Sequence, residues 1–119
     1  MEIVISNING VNIAEVISAN ILIKETQDAV EMMAESNYRG SGKIILHEKN
    51  IISDFFDLKT GLAGEILQKF SNYNVRLAIV GDFAKYPGKS LKDFIFESNK
   101  YGRINFVNSV EEAKKRLSK

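Results

Sequence analysis

Lys43-Ile44-Ile45-Leu46-His47-Glu48 and, further on, Val75-Arg76-Leu77-Ala78-Ile79-Val80-Gly81-Asp82 decide the fold. Each holds a short run of Ile, Leu, Val and Ala bounded by turn residues, with Tyr38-Arg39-Gly40-Ser41-Gly42 before the first and Gly81-Asp82 closing the second. An unbroken apolar run too short for a helix is the pattern of a strand covered on both faces. Between them, Phe55, Leu58, Leu62, Ile66 and Phe70 recur every three or four residues, with Phe56, Ala63 and Leu67 widening the stripe. That spacing predicts one long helix from about Asp54 to Asn72, weakened by Gly61 and Gly64. Asp54 and Asp57 then stand as its N-cap and N3 residues, facing the free N–H groups and the positive end of the helix.

Outward from this centre, residues 2–8 and 11–17 are rich in Ile and Val and are separated by Asn9-Gly10, the dipeptide suited to the positive φ angles of a type I′ hairpin turn. Glu25–Ser36 sets Ala29, Val30, Met32 and Met33 among acidic and amide residues, a half-buried helix. Ser90 with Asp93 reads as a capping box opening a helix that contains Leu91, Phe94 and Ile95 and closes at Gly102. Ile104–Val107 is a last short strand. Ser109 with Glu112 reads as a second capping box, for a terminal helix carrying Val110, Ala113 and Leu117 on one side. The order β-hairpin, α, β, α, β, α, β, α predicts an α/β fold with a mostly parallel five-stranded sheet, its first strand antiparallel at or near an edge.

A chain of 119 residues suits one domain, and with no Cys, no Trp and one His it excludes thiol nucleophiles, disulfides, zinc fingers and any metal site needing two imidazoles. Sixteen basic against fifteen acidic residues leave a net charge of +1, so no global field steers it to nucleic acid or an anionic membrane. The start of the chain lacks a signal-peptide pattern and no run approaches ~18 apolar residues, so the expected location is cytoplasmic. No cofactor is expected. Gly88-Lys89-Ser90 lacks P-loop spacing, because position 83 is Phe and Gly81 comes two residues too early. Lys114, Lys115 and Arg116 read as complementing a helix C-terminus rather than as a nucleic-acid patch.

The hairpin followed by βαβαβα, with Lys43-Ile44-Ile45-Leu46, Leu62-Ala63-Gly64, the strand through Val80-Gly81 and Val110-Glu111-Glu112-Ala113, is similar to the STAS domain, the fold of sulfate transporters and anti-sigma factor antagonists. His47-Glu48-Lys49-Asn50 and Asp54-Phe55-Phe56-Asp57-Leu58-Lys59-Thr60-Gly61 look more specifically like an uncharacterised family of small bacterial proteins carrying a domain of unknown function. The resemblance covers nearly the whole chain and implies a single STAS-like domain over residues 1–119 with a regulatory binding role. In the antagonist branch a phosphorylatable serine sits at the start of the second helix, in an Asp-Ser-Ser-Gly motif. The corresponding residues here are Asp54-Phe55-Phe56-Asp57, with aromatics at the serine positions, so the chain departs from the family at its switch.

His47 and Glu48 at one strand end, Asp54 and Asp57 at the next helix start and Gly81-Asp82 after the neighbouring strand all fall at the carboxyl edge of the inferred sheet, where open α/β sheets place their crevice. The leading expectation is a binding surface of Asp54, Phe55, Phe56, Asp57 and Lys59, floored by His47, Glu48 and Asp82, for a protein partner or small ligand. Adjacent residues of a helix point about 100° apart, so Phe55 in the core would leave Phe56 either partly exposed as an apolar anchor or packed under a neighbouring loop. The alternative is a small enzyme in which His47 is the base and Glu48 or Asp54 orients it, or in which these groups and Asp57 form an oxygen-rich metal site. A third possibility is a homo-oligomer built through an edge strand or exposed helical face.

Overall fold

A computed structural model describes residues 1–119. Strands β1 (Glu2–Ile8) and β2 (Val11–Ile17) meet at Asn9 and Gly10, whose φ angles of 53° and 83° are both positive, as a type I′ turn requires. Helix α1 (Thr26–Tyr38) opens where the Asp28 carboxylate accepts hydrogen bonds from the backbone N–H groups of Lys24 (2.9 Å) and Glu25 (3.2 Å). Then follow β3 (Lys43–His47), α2 (Leu62–Asn72), β4 (Arg76–Val80), α3 (Lys89–Tyr101), β5 (Ile104–Val107) and α4 (Val110–Leu117). The sheet order is β1-β2-β3-β4-β5, with β1 antiparallel to β2 and every other pair parallel. The architecture is therefore the α/β fold expected, a mostly parallel five-stranded sheet with its antiparallel strand at the edge. No helix is long and apolar enough to cross a membrane.

Because side chains alternate along a strand, the central strands feed two cores. Ile44, Leu46, Leu77, Ile79 and Ile104 point to the side covered by α1, α2 and α3, while Ile45, Ala78 and Val107 meet Ala113 and Leu117 of α4 on the other. Full burial of such an aliphatic side chain contributes about 1.5–3 kcal/mol. The lower rim is tied by Arg76, which starts β4 and whose guanidinium donates to the carbonyls of Gly102 (2.9 Å), Arg116 (3.1 Å) and Lys119 (3.2 Å). One side chain thus satisfies carbonyls left free where α3 and α4 end.

Two local expectations are corrected. The long helix from Asp54 does not form: Ser53–Phe56 and Leu58–Thr60 are short 3₁₀ turns, and α2 begins only at Leu62, after Gly61 in the left-handed region at φ 79°. Local side-chain bonds explain the break. The Thr60 hydroxyl donates to the carbonyls of Asp54 (2.7 Å) and Asp57 (2.9 Å), and the Asp57 carboxylate accepts from the Lys59 N–H (3.2 Å), so groups that would continue an α-helix are bonded otherwise. Asp54 and Asp57 are accordingly not the N-cap and N3 of α2, whose N-cap is Gly61. The Ser90–Asp93 capping box is also absent. Gly88 is the N-cap of α3, Ser90 lies inside the helix, and Asp93 pairs with Lys89 at 2.7 Å. Ser109 does cap α4, accepting from the Glu112 N–H at 3.1 Å, while the Glu112 side chain turns to Arg116 at 3.2 Å and leaves the reciprocal half of that box unmade.

Candidate binding site at the carboxyl edge

The loops after β3 and β4 meet over the carboxyl ends of those strands, and Glu48 joins them. Its carboxylate accepts a short hydrogen bond from the Tyr86 hydroxyl, an ion pair from Lys85 Nζ at 2.8 Å and the backbone N–H of Asp82 at 3.3 Å. Burial pulls the Glu48 carboxyl upward, but the bonds from Lys85 and Tyr86, the Lys85 charge and the Asp82 N–H outweigh it and hold it below the ordinary glutamate value of 4.5. Burial, and then the bond to this carboxylate and its charge, push the Tyr86 phenol far above its ordinary value of 10.0. At neutral pH the pair is therefore carboxylate and phenol.

An aromatic stack continues inward from that bond. The Tyr86 ring lies on Phe56 with centroids 5.0 Å apart and planes 15° from parallel, and Phe56 meets Phe55 edge-on at 5.0 Å. Phe55 is 1% exposed and Phe56 7%. Of the two arrangements open for Phe56 the second holds: the 3₁₀ turn at Ser53–Phe56 sends Phe55 into the main core and Phe56 beneath the Phe83–Tyr86 loop, so neither stands out as an exposed anchor. Gly81 permits the approach of the two loops. A Cβ there would lie 2.6 Å from Glu48 Oε1 and 2.7 Å from Glu48 Cβ.

His47 takes another direction. Its Nε2 lies 3.3 Å from Glu15 Oε2 on β2, so neither Glu48 nor Asp54 orients the imidazole, and no three His, Asp or Glu side chains are brought together to hold a metal ion. Both the His47–Glu48 arrangement and the oxygen-rich site imagined from the sequence are corrected on that geometry. The backbone N–H of His47 donates to the side-chain oxygen of Asn50 at 3.1 Å. Asn50 is wholly buried and its amide nitrogen donates to the carbonyls of Ser18 (2.9 Å) and Asn20 (3.0 Å), while its own carbonyl accepts from Leu22 (2.7 Å) and Ile23 (3.0 Å).

Asp54, Asp57 and Lys59 are exposed, as is Asp82, whose carboxylate accepts from the Ala84 N–H at 3.2 Å. None of these four forms an ion pair. A separate open groove is lined by Ile21, Lys49, Ile52, Phe56, Lys85 and Tyr86, with Glu48 among them, and none of the four charges lines it. The enclosed gap in the core, among Met32, Leu46, Phe55, Phe70 and their neighbours, measures only about 10 Å³ and has a wholly apolar lining, too little for more than one water. The sequence reading missed Tyr86, Lys85 and Asn50. A buried strand ending in Gly81-Asp82 was the only local signal that its following loop comes close to another segment.

This geometry defines a small α/β domain with a braced, loop-built surface at its carboxyl edge and no enclosed ligand chamber. The chain belongs to the family described as Domain of unknown function (DUF4180), whose model matches residues 8–117. No curated protein matches the sequence significantly. Among solved structures, a Thermotoga maritima protein provisionally described as an anti-sigma factor antagonist is similar over 98% of this chain and 95% of that one, at 17% identity and a TM-score of 0.49.

Proposed function

We propose that the chain is a regulatory binding domain that receives a protein partner on the carboxyl-edge surface formed by residues 48–60 and 82–86. One observation supports this above others: the side chains with chemistry to offer are bonded internally, whereas the unpaired charges stand outside. Glu48 is engaged by Tyr86, Lys85 and Asp82, and His47 lies beside Glu15. Asp54, Asp57, Lys59 and Asp82 are exposed and free to meet complementary charges on a folded surface. Phe55 and Phe56 act from beneath, holding the turn that displays Asp54 and Asp57.

The test is affinity capture from the source cells with quantitative mass spectrometry, using the whole chain, an Asp54→Lys/Lys59→Glu variant and an α4 control, Lys115→Glu. A partner recovered by the parent chain and the control but lost by the charge-reversed variant supports the reading. Partners captured equally by all three chains overturn it. A ligand-binding or catalytic activity found in the parent chain, lost in His47→Ala and kept in the Asp54→Lys/Lys59→Glu variant, overturns it in favour of a site at His47 and Glu15.

A further inference from the structure

The two edges of the sheet are finished differently. On β5 the outward backbone groups are occupied by α3: Ser98 Oγ donates to the Ile104 carbonyl at 2.6 Å, and the Asn99 side chain both accepts from the Phe106 N–H at 2.7 Å and donates to its carbonyl at 3.2 Å. That edge is closed to any further strand. On β1 nothing comparable happens. The tight hairpin makes Ile8–Val11 a hydrogen-bonded pair, so by alternation Ser6, Val4 and Glu2 face β2 and the N–H and C=O groups of Ile3, Ile5 and Asn7 point outward. No backbone bond outside the hairpin reaches them. From Ile3 to Ile8 the strand has no charge, no Pro and no bulge, the devices by which natural proteins blunt an edge, and both its faces carry exposed aliphatic side chains, Val4 at 40% and Ile5 at 38%.

We infer that β1 pairs with β1 of a second copy of this chain, antiparallel about a two-fold axis through Ile5, to give one ten-stranded sheet. The occupant is a second copy because the strand is complementary to itself in that register. Ile5 lies opposite Ile5, and Ile3 opposite Asn7, so all three outward residues of each chain fall in hydrogen-bonded pairs and six main-chain bonds form. The intervening pairs set Val4 against Ser6 and Glu2 against Ile8, which places no like charges opposite each other and covers both exposed aliphatic residues. This edge is separate from the loops after β3 and β4, and the pairing stands whether or not they bind a partner.

Sedimentation velocity on the whole chain across a micromolar to millimolar concentration range tests the pairing. The parent chain is expected to dimerise. Ile5→Lys sets two ammonium groups opposite each other and Ile5→Pro removes an outward N–H, and each should weaken the dimer about a hundred-fold. Circular dichroism melts identify a variant that fails to fold, and Ile5→Glu alone, which sets two carboxylates opposite each other, then replaces it. Mixing Ile5→Lys with Ile5→Glu should restore a heterodimer, because position 5 faces itself. A parent chain that stays monomeric throughout overturns the pairing, as does a dimer indifferent to Ile5→Lys and Ile5→Pro. Failure of the charge-matched mixture to associate overturns the register.

Discussion

Gly81 and Glu48 are packed backbone against side chain: a Cβ at Gly81 would sit 2.7 Å from Glu48 Cβ and 2.6 Å from its Oε1. Glu48 Cβ is anchored directly to the main chain, so it cannot swing aside as a side-chain tip would. Gly81→Ala must therefore shift one loop, and it should destabilise the fold by about 1–3 kcal/mol. Gly64, in the first turns of α2, has nothing within 4 Å of the same atom, and Gly64→Ala should stabilise by about 0.4–1 kcal/mol. Urea unfolding of the matched pair checks both signs, and equal effects would refute the contact.

Tyr86→Phe keeps the stack on Phe56 and removes only the hydroxyl donated to Glu48. The expected loss is about 1.5–3 kcal/mol, as for a hydrogen bond to a charged group. Phe56→Ala instead empties a buried site and should cost about 3–5 kcal/mol. Denaturant midpoints with unchanged m-values would separate the two.

The folded-state Glu48 carboxyl lies below 4.5, its ordinary value. A depressed folded value gives stability that is present above 4.5 and is lost as pH falls through the folded value, because the unfolded chain takes up the proton more readily. The parent chain should thus lose part of its stability below about pH 4.5, and Glu48→Gln, less stable at pH 7, should show a shallower decline over that window. Parallel unfolding curves from pH 7 to pH 3 for the two chains would contradict this assignment.

Asn50→Asp changes one buried amide nitrogen into an oxygen facing the carbonyls of Ser18 and Asn20. Two donated bonds are replaced by oxygen–oxygen repulsion, with a cost of about 3 kcal/mol or more once the new carboxyl is ionised. Amide exchange should show the segment Ser18–Ile23 opening first, since Leu22 and Ile23 bond to the Asn50 carbonyl. Uniform loss of protection across the sheet would point to some other cause.

Arg76→Lys preserves the charge but cannot reach three carbonyls from different places with a single ammonium. The C-terminal turns of α3 and α4 should fray, at a cost of about 1–3 kcal/mol, visible as faster exchange at Gly102 and Ser118, whose N–H groups close those helices.

Where a residue's conformation was set by its immediate neighbours, the sequence alone determined the outcome. Asn9-Gly10 favours positive φ at both positions, so the hairpin and its register followed; Ile44–Leu46 and Leu77–Val80 are too short and too apolar for anything but central strands; Gly102 ends α3 because it takes φ 77° at little cost. The same reading placed Glu48, Asp54, Asp57 and Asp82 at one edge of the sheet. Tertiary structure decided what those residues do there. Phe55, Leu58 and Leu62 have helical spacing, yet the Thr60 hydroxyl and Gly61 divert the backbone into 3₁₀ turns, a competition that apolar periodicity does not register. Glu48 finds Tyr86 and His47 finds Glu15 only when segments distant in the chain are brought together, and the closure of one sheet edge by Ser98 and Asn99 depends on α3 lying along β5. Local torsional preference is written in neighbouring residues; which donor meets which acceptor depends on packing among residues far apart in sequence.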